Sequence, residues 1–124
     1  MYKFGGYFLS SLDVSDFEAA KKFYGETLGL KQHFAVDDMG WAEYSTGVEN
    51  AGIGITKARG EVKPGGACPV LGVDDIEAAR ADLEKKGVKF QGEIQEIPNM
   101  VKLATFFDPD GNVLMLAQSL MPTG

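Results

Sequence analysis

Leu12-Asp13-Val14-Ser15-Asp16-Phe17-Glu18-Ala19-Ala20 returns 59 residues later as Leu71-Gly72-Val73-Asp74-Asp75-Ile76-Glu77-Ala78-Ala79. Six of the nine positions are identical, and a seventh, Phe17/Ile76, keeps its apolar character. Each copy then reaches a glycine, an aliphatic residue and a lysine: Gly29-Leu30-Lys31 and Gly87-Val88-Lys89. There the offset is 58, so one residue has been inserted or lost between the copies. Self-similarity at nearly half the chain length is the mark of a duplicated module. Cut after Val62, the two halves each carry six basic and nine acidic residues, a charge of −3 apiece. The chain therefore reads as one domain made of two tandem copies, residues 1–62 and 63–124.

The module has a local grammar. Ser15-x-x-Glu18 and Asp74-x-x-Glu77 look like capping boxes, in which side-chain oxygens satisfy the orphan N–H groups of a helix start. Phe17, Ala20, Phe23, Tyr24 and Leu28 recur at spacings of three and four and predict one buried stripe on the first helix. Ile76, Ala79 and Leu83 do the same for the second. Gly29 and Gly87 stand where a left-handed helix terminator prefers glycine. A strand precedes each helix, near 7–14 and 67–73. Three strands follow each, near 30–36, 40–46 and 51–57, then 88–97, 101–107 and 112–118. Turn-forming stretches separate them: Asp37-Asp38-Met39-Gly40, Gly47-Val48-Glu49-Asn50 and, most clearly, Asp108-Pro109-Asp110-Gly111-Asn112. Glu61-Val62-Lys63-Pro64-Gly65-Gly66 reads as the join. The expected module is β-α-β-β-β, twice. The 16 glycines, about twice the usual ~7% share, are expected in turns, caps and bulges.

Composition narrows the function classes. A net charge of −6 over 124 residues argues against binding a nucleic-acid backbone and suits neutral or cationic partners. One cysteine rules out an intrachain disulfide and any all-cysteine metal cluster, which fits a reducing, cytoplasmic setting. No apolar run approaches the roughly 20 residues of a membrane span. The opening residues, through Leu9, lack the n-region, long apolar stretch and cleavage site expected of a signal peptide.

Three stretches are similar to the vicinal oxygen chelate superfamily, which contains glyoxalases, bleomycin-resistance proteins and extradiol dioxygenases. They are residues 12–30, ending Phe23-Tyr24-Gly25-Glu26-Thr27-Leu28-Gly29-Leu30, then Val73-Asp74-Asp75-Ile76-Glu77-Ala78-Ala79, and Phe107-Asp108-Pro109-Asp110-Gly111-Asn112-Val113-Leu114. The resemblance implies an α+β fold of paired βαβββ modules whose mixed sheets curl around a cup, with helices on the convex side. It also implies a homodimer, and metal and substrate, or a drug, on the concave face.

In metal-dependent relatives four strands supply one ligand each. Carried onto this chain, those positions are Leu9, Glu43, Cys68 and Met115. Leucine has no lone pair to offer. Glu43 is a serviceable carboxylate, Cys68 suits zinc but not hard cations, and the Met115 thioether is a poor ligand for a hydrolytic or isomerising ion. A catalytic zinc wants three protein ligands and a water, so no cofactor is expected. Zinc, nickel or iron enters only if the ligands are non-standard. His33, the sole histidine, lies off the ligand positions, which speaks against extradiol dioxygenase chemistry and against a histidine-based triad.

What remains on the implied concave face is apolar and aromatic around one carboxylate. Strand alternation puts Tyr7, Leu9 and Ser11 together, with Trp41, Glu43 and Ser45, then Cys68, Val70 and Gly72, then Val113, Met115 and Ala117. Tryptophan faces suit planar or cationic ligands. A carboxylate in such surroundings either has a raised pKa or keeps a partner. Filling of the cup by these side chains as core is the alternative. Cys68 admits three readings: a buried inert side chain, a reactive thiol, or a zinc ligand with Glu43. The function expected is binding of a small organic ligand, as in antibiotic resistance, without the family's metal; the residues are Tyr7, Leu9, Trp41, Glu43, Cys68, Val70 and Met115. The rival is a lyase or isomerase of the lactoylglutathione-lyase kind, with Glu43 catalytic at a degenerate metal site.

Overall fold

Each helix begins one residue later than its capping-box pattern predicts. In the computed structural model, which describes residues 8–121, Asp16 is the N-cap of α1 (Phe17–Lys22), and its carboxylate accepts from the Ala19 N–H at 3.0 Å. Asp75 caps α2 (Ile76–Lys85) in the same way, accepting from Ala78 N–H at 3.1 Å. Both aspartates have extended backbone, as an N-cap requires. The second aspartate of each copy is the cap because it stands three residues before the amide it bonds, whereas Ser15 and Asp74 stand four before. Asp16 and Asp75 are also the residues that the repeat keeps identical.

The strand order follows the predicted module twice. β1 (Phe8–Val14), β2 (Gln32–Val36), β3 (Trp41–Ser45) and β4 (Ala51–Lys57) accompany α1. β5 (Val70–Gly72), β6 (Lys89–Ile97), β7 (Val101–Phe107) and β8 (Val113–Ser119) accompany α2. The chain divides between Lys63 and Pro64 into two units, each with one four-stranded mixed sheet. The orders are β1-β4-β3-β2 and β5-β8-β7-β6. In each sheet the opening strand pairs parallel with the last, and the remaining pairs are antiparallel.

In the first unit α1 covers one face of the sheet. Leu12 and Val14 of β1, Ala42 and Tyr44 of β3, and Ile53 and Ile55 of β4 are buried there with Ala20, Phe23 and Tyr24. Phe17 and Leu28, expected in the same stripe, are only half-buried. The helix changes character at Phe23 and runs as a π-helix through Thr27, with Leu28 N–H bonding Phe23 C=O at 2.9 Å. Gly25 weakens the α form at this point. The wider turn lets two adjacent aromatic residues, Phe23 and Tyr24, enter the core together, their rings edge to face at 5.2 Å.

In the second unit α2 lies over Ala104 and Phe106 of β7 and over Leu114 and Leu116 of β8, burying Ile76 and Leu83; Ala79 is half-buried. The Gln118 side chain accepts from the Ile76 N–H, and Lys102 pairs with Glu77 at 2.8 Å, tying helix to sheet. α2 ends in a Schellman motif: Val88 N–H bonds Leu83 C=O and Gly87 N–H bonds Glu84 C=O. Gly87, at φ +90°, supplies the left-handed residue this stop needs. Arg80 stacks over the Phe90 ring and donates to Gly92 C=O at 2.7 Å, where β6 bulges. Asp108 organises the turn before β8: its carboxylate takes the N–H groups of Asp110 and Asn112 and the Asn112 side-chain amide.

The strand expected over 67–73 is shorter than its pattern. Pairing of β5 begins at Pro69, whose carbonyl accepts from Met115 N–H, and proline has no N–H of its own to extend the ladder. Glycines are not confined to turns, caps and bulges either: Gly52 and Gly54 lie inside β4. No helix among the described residues is long and apolar enough to cross a membrane.

Candidate functional site

The faces of the sheets turned away from the helices carry five of the residues singled out in the sequence: Leu9, Trp41, Glu43, Val70 and Met115. In the first unit the cross-strand registers lay them out in rows. Leu9, Gly52 and Ser45 form one row across β1, β4 and β3. Ser11, Gly54, Glu43 and Phe34 form the next, and Asp13, Thr56, Trp41 and Val36 the third. Leu9, Trp41 and Glu43 are half-buried, while Phe34 and Val36 on the edge strand are exposed. Glu43 is not without an interaction partner. The alternation predicted for β1 and β3 holds: Leu12, Val14, Ala42 and Tyr44 point to the helix and their neighbours to the open face. Tyr7 lies outside the described residues.

Gly54 was missed in the sequence, and it decides how this face is built. A Cβ at residue 54 would overlap Cη2 of Trp41 and lie 2.8 Å from Cζ2 and 3.2 Å from Cζ3. The indole therefore crosses from β3 onto β4, with its far end against the backbone at Gly54. The available signal was Gly52-Ile53-Gly54-Ile55, glycines alternating inside a strand pattern, which indicates a close approach to the backbone.

In the second unit Val70 pairs with Met115, and Gly72 with Ala117, on the face away from α2. Gly72, Ala117 and Ser119 floor a shallow, mostly apolar recess of about 430 Å³ walled by Met100 and Met121. Cys68 differs from the reading that buried it: it stands before β5, exposed, with its thiol 4.0 Å from the Pro69 carbonyl. The short β5 leaves it outside the sheet. Neighbouring atoms still strip some water from the sulfur, which pushes the thiol pKa up. Desolvation of this kind disfavours the thiolate, the form in which cysteine acts as a nucleophile or binds a metal.

The four positions that the resemblance implies as metal ligands hold a donor set poorly suited to a divalent ion. In the first unit Leu9 and Glu43 share a face with the glycine-bearing β4 between them, and only Glu43 has a lone pair to give. In the second, Cys68 has a raised pKa and Met115 offers a thioether. Among the described residues no group of three His, Cys, Asp or Glu side chains is arranged to hold a metal.

On the helix side of the first unit a polar cleft of about 580 Å³ lies over Tyr44. Burial pushes the Tyr44 phenol pKa up, and its hydroxyl donates to Gln32 at 3.3 Å. Lys21 at the cleft wall is held by Glu18 and Asp37, each at 2.8 Å. None of the described residues expected to bind a ligand lines it.

The family model described as Glyoxalase/Bleomycin resistance protein/Dioxygenase superfamily matches residues 9–116. Among solved structures, the chain is similar to TnmS3, an antibiotic binding protein from Streptomyces sp. CB03234. The two are 30% identical with a TM-score of 0.79, over 96% of this chain and 99% of that one. A glyoxalase/bleomycin resistance protein from the same Streptomyces is 32% identical, TM-score 0.73, over 91% and 100%. A superfamily member from Sphaerobacter thermophilus DSM 20745, 23% identical with a TM-score of 0.79 over 94% and 98%, shares the fold. No curated protein sequence matches the chain. With the doubled βαβββ module, the two mixed sheets and a match over residues 9–116, this chain belongs to the Glyoxalase/Bleomycin resistance protein/Dioxygenase superfamily.

Proposed function

We propose that this protein binds a small aromatic organic cation, of the kind found among antibiotics, on the open face of its first sheet, and that it does so without the family's catalytic metal. The observation that carries the reading is the pairing of Trp41 with Glu43 on one face beside a glycine-bearing strand. An indole attracts flat and cationic groups through its π-face, and a neighbouring carboxylate adds charge and a hydrogen-bond acceptor. The net charge of −6 favours encounter with cations. The likeness to an antibiotic binding protein along nearly the whole of both chains supports the same reading. Binding alone needs affinity and no chemistry, so a donor set unsuited to a divalent ion is no obstacle to it. On this reading the protein sequesters its ligand, works in the cytoplasm and acts as a homodimer.

Trp41 is the sole tryptophan, so its fluorescence reports the site directly. Titration with the flat cation proflavine is expected to quench it saturably. Glu43→Gln, which keeps shape and removes charge, is expected to weaken binding about tenfold, the equivalent of one charge-assisted contact. Equal affinity of the Glu43→Gln variant would remove the carboxylate from the site. Absence of saturable quenching in the wild-type protein would sink the proposal.

A further inference from the structure

We infer that Gly54 is the positioning residue of this face: its missing side chain holds the Trp41 indole across β4, in the row occupied by Glu43, and so makes the site selective for flat over bulky cations. The inference deepens the ligand-binding proposal and rests on it.

Trp41 does not sit over its own partner. Its register partner on β4 is Thr56, whereas Gly54 is paired with Glu43. The ring reaches diagonally, two residues along β4, and ends where a Cβ of residue 54 would be. Diagonal neighbours in an antiparallel pair lie within reach of a long aromatic side chain. The indole and the carboxylate are thereby brought to the same row. Gly54 is not needed for its backbone: it lies in a regular strand and is not one of the glycines with positive φ. Glycine weakens a strand interior, so its presence at an extended position calls for a spatial reason, and the indole is that reason. The colliding atoms belong to a rigid ring with two torsions, not to the yielding end of a flexible chain, so a methyl group at residue 54 must lift the ring. A lifted ring blocks the height above β4 that a flat ligand would use and moves away from the Glu43 row.

An aromatic ring that covers a strand glycine can also serve stability alone. The two roles separate in Gly54→Ala. Trp41 emission and its quenching by acrylamide are read first, without ligand. Positioning predicts a changed emission maximum and easier quenching with the circular dichroism spectrum preserved. Affinities for proflavine and for the non-planar cation cyclohexylammonium are read next. Positioning predicts that the preference for proflavine falls about tenfold, roughly what one aromatic contact contributes. A purely structural role would change the unfolding midpoint and leave that preference intact. Wild-type protein that binds proflavine, with Gly54→Ala matching it in emission and preference, would overturn the inference and leave the ligand proposal standing. Wild-type protein that ignores proflavine would instead defeat the ligand proposal and the selectivity claim with it; the emission arm would then judge only whether Gly54 seats the ring. If Gly54→Ala does not fold, the double variant Trp41→Leu with Gly54→Ala decides. Recovery of folding supports the clash with the indole, and continued failure overturns it.

Discussion

On the metal-free reading proposed above, single side chains carry the difference from metal-dependent relatives. Leu9 stands where the resemblance implies a ligand, Met115 offers a soft sulfur, and Cys68 stands outside its strand with its thiol pKa raised by partial desolvation. The last point has a measurable consequence. The thiolate is the reactive form, and raising the pKa lowers its fraction at any pH below that value. Labelling of the native protein with a disulfide reagent is therefore expected to go to completion, because Cys68 is exposed, but more slowly at pH 7 than for a free cysteine peptide. The rate should keep rising beyond pH 8.5, where an ordinary thiol begins to level off. A plateau below about pH 8 would show an activated thiol and reopen its claim as a nucleophile or metal ligand.

At the level of elements, the helix ends show how far local sequence rules reach. The capping-box pattern selects Ser15 and Asp74, because Glu18 and Glu77 stand three residues on, yet the aspartate that follows each can cap a helix without a glutamate at that spacing. Only the backbone turn at Asp16 and Asp75 decides which one caps. For α2 the difference is testable: Asp75→Ala should cost about 1 kcal/mol in chemical unfolding, and Asp74→Ala less than about 0.5 kcal/mol. The reverse order would restore the capping box as first read. The strands were legible because alternation and turn residues are local signals; β7 falls on its predicted span of 101–107. The π-helical turn at Phe23–Thr27 was not, because it accompanies the burial of two adjacent aromatic residues, with the Tyr24 ring packed on Tyr44 of β3, a contact between helix and sheet. Gly54 was hidden for the same reason. Its use depends on a ring attached to the neighbouring strand.

For the whole molecule, duplication was the strongest message in the sequence, and it is written in the structure as two sheets of the same strand order. The candidate site was legible as a list of alternating residues on β1 and β3. It was not legible as a surface, because register, not spacing, brings Glu43 opposite Gly54 and lets Trp41 reach that row. The proposal that this chain binds a ligand without a metal rests on that surface and on the residues at the ligand positions the resemblance implies. Metal and ligand can be measured on one sample: protein purified without chelator, analysed for zinc, nickel and iron, then titrated calorimetrically with proflavine before and after EDTA treatment. The account predicts far less than one metal per chain and a saturable affinity that EDTA leaves unchanged. Near-stoichiometric metal, or binding that disappears with the chelator, would contradict it.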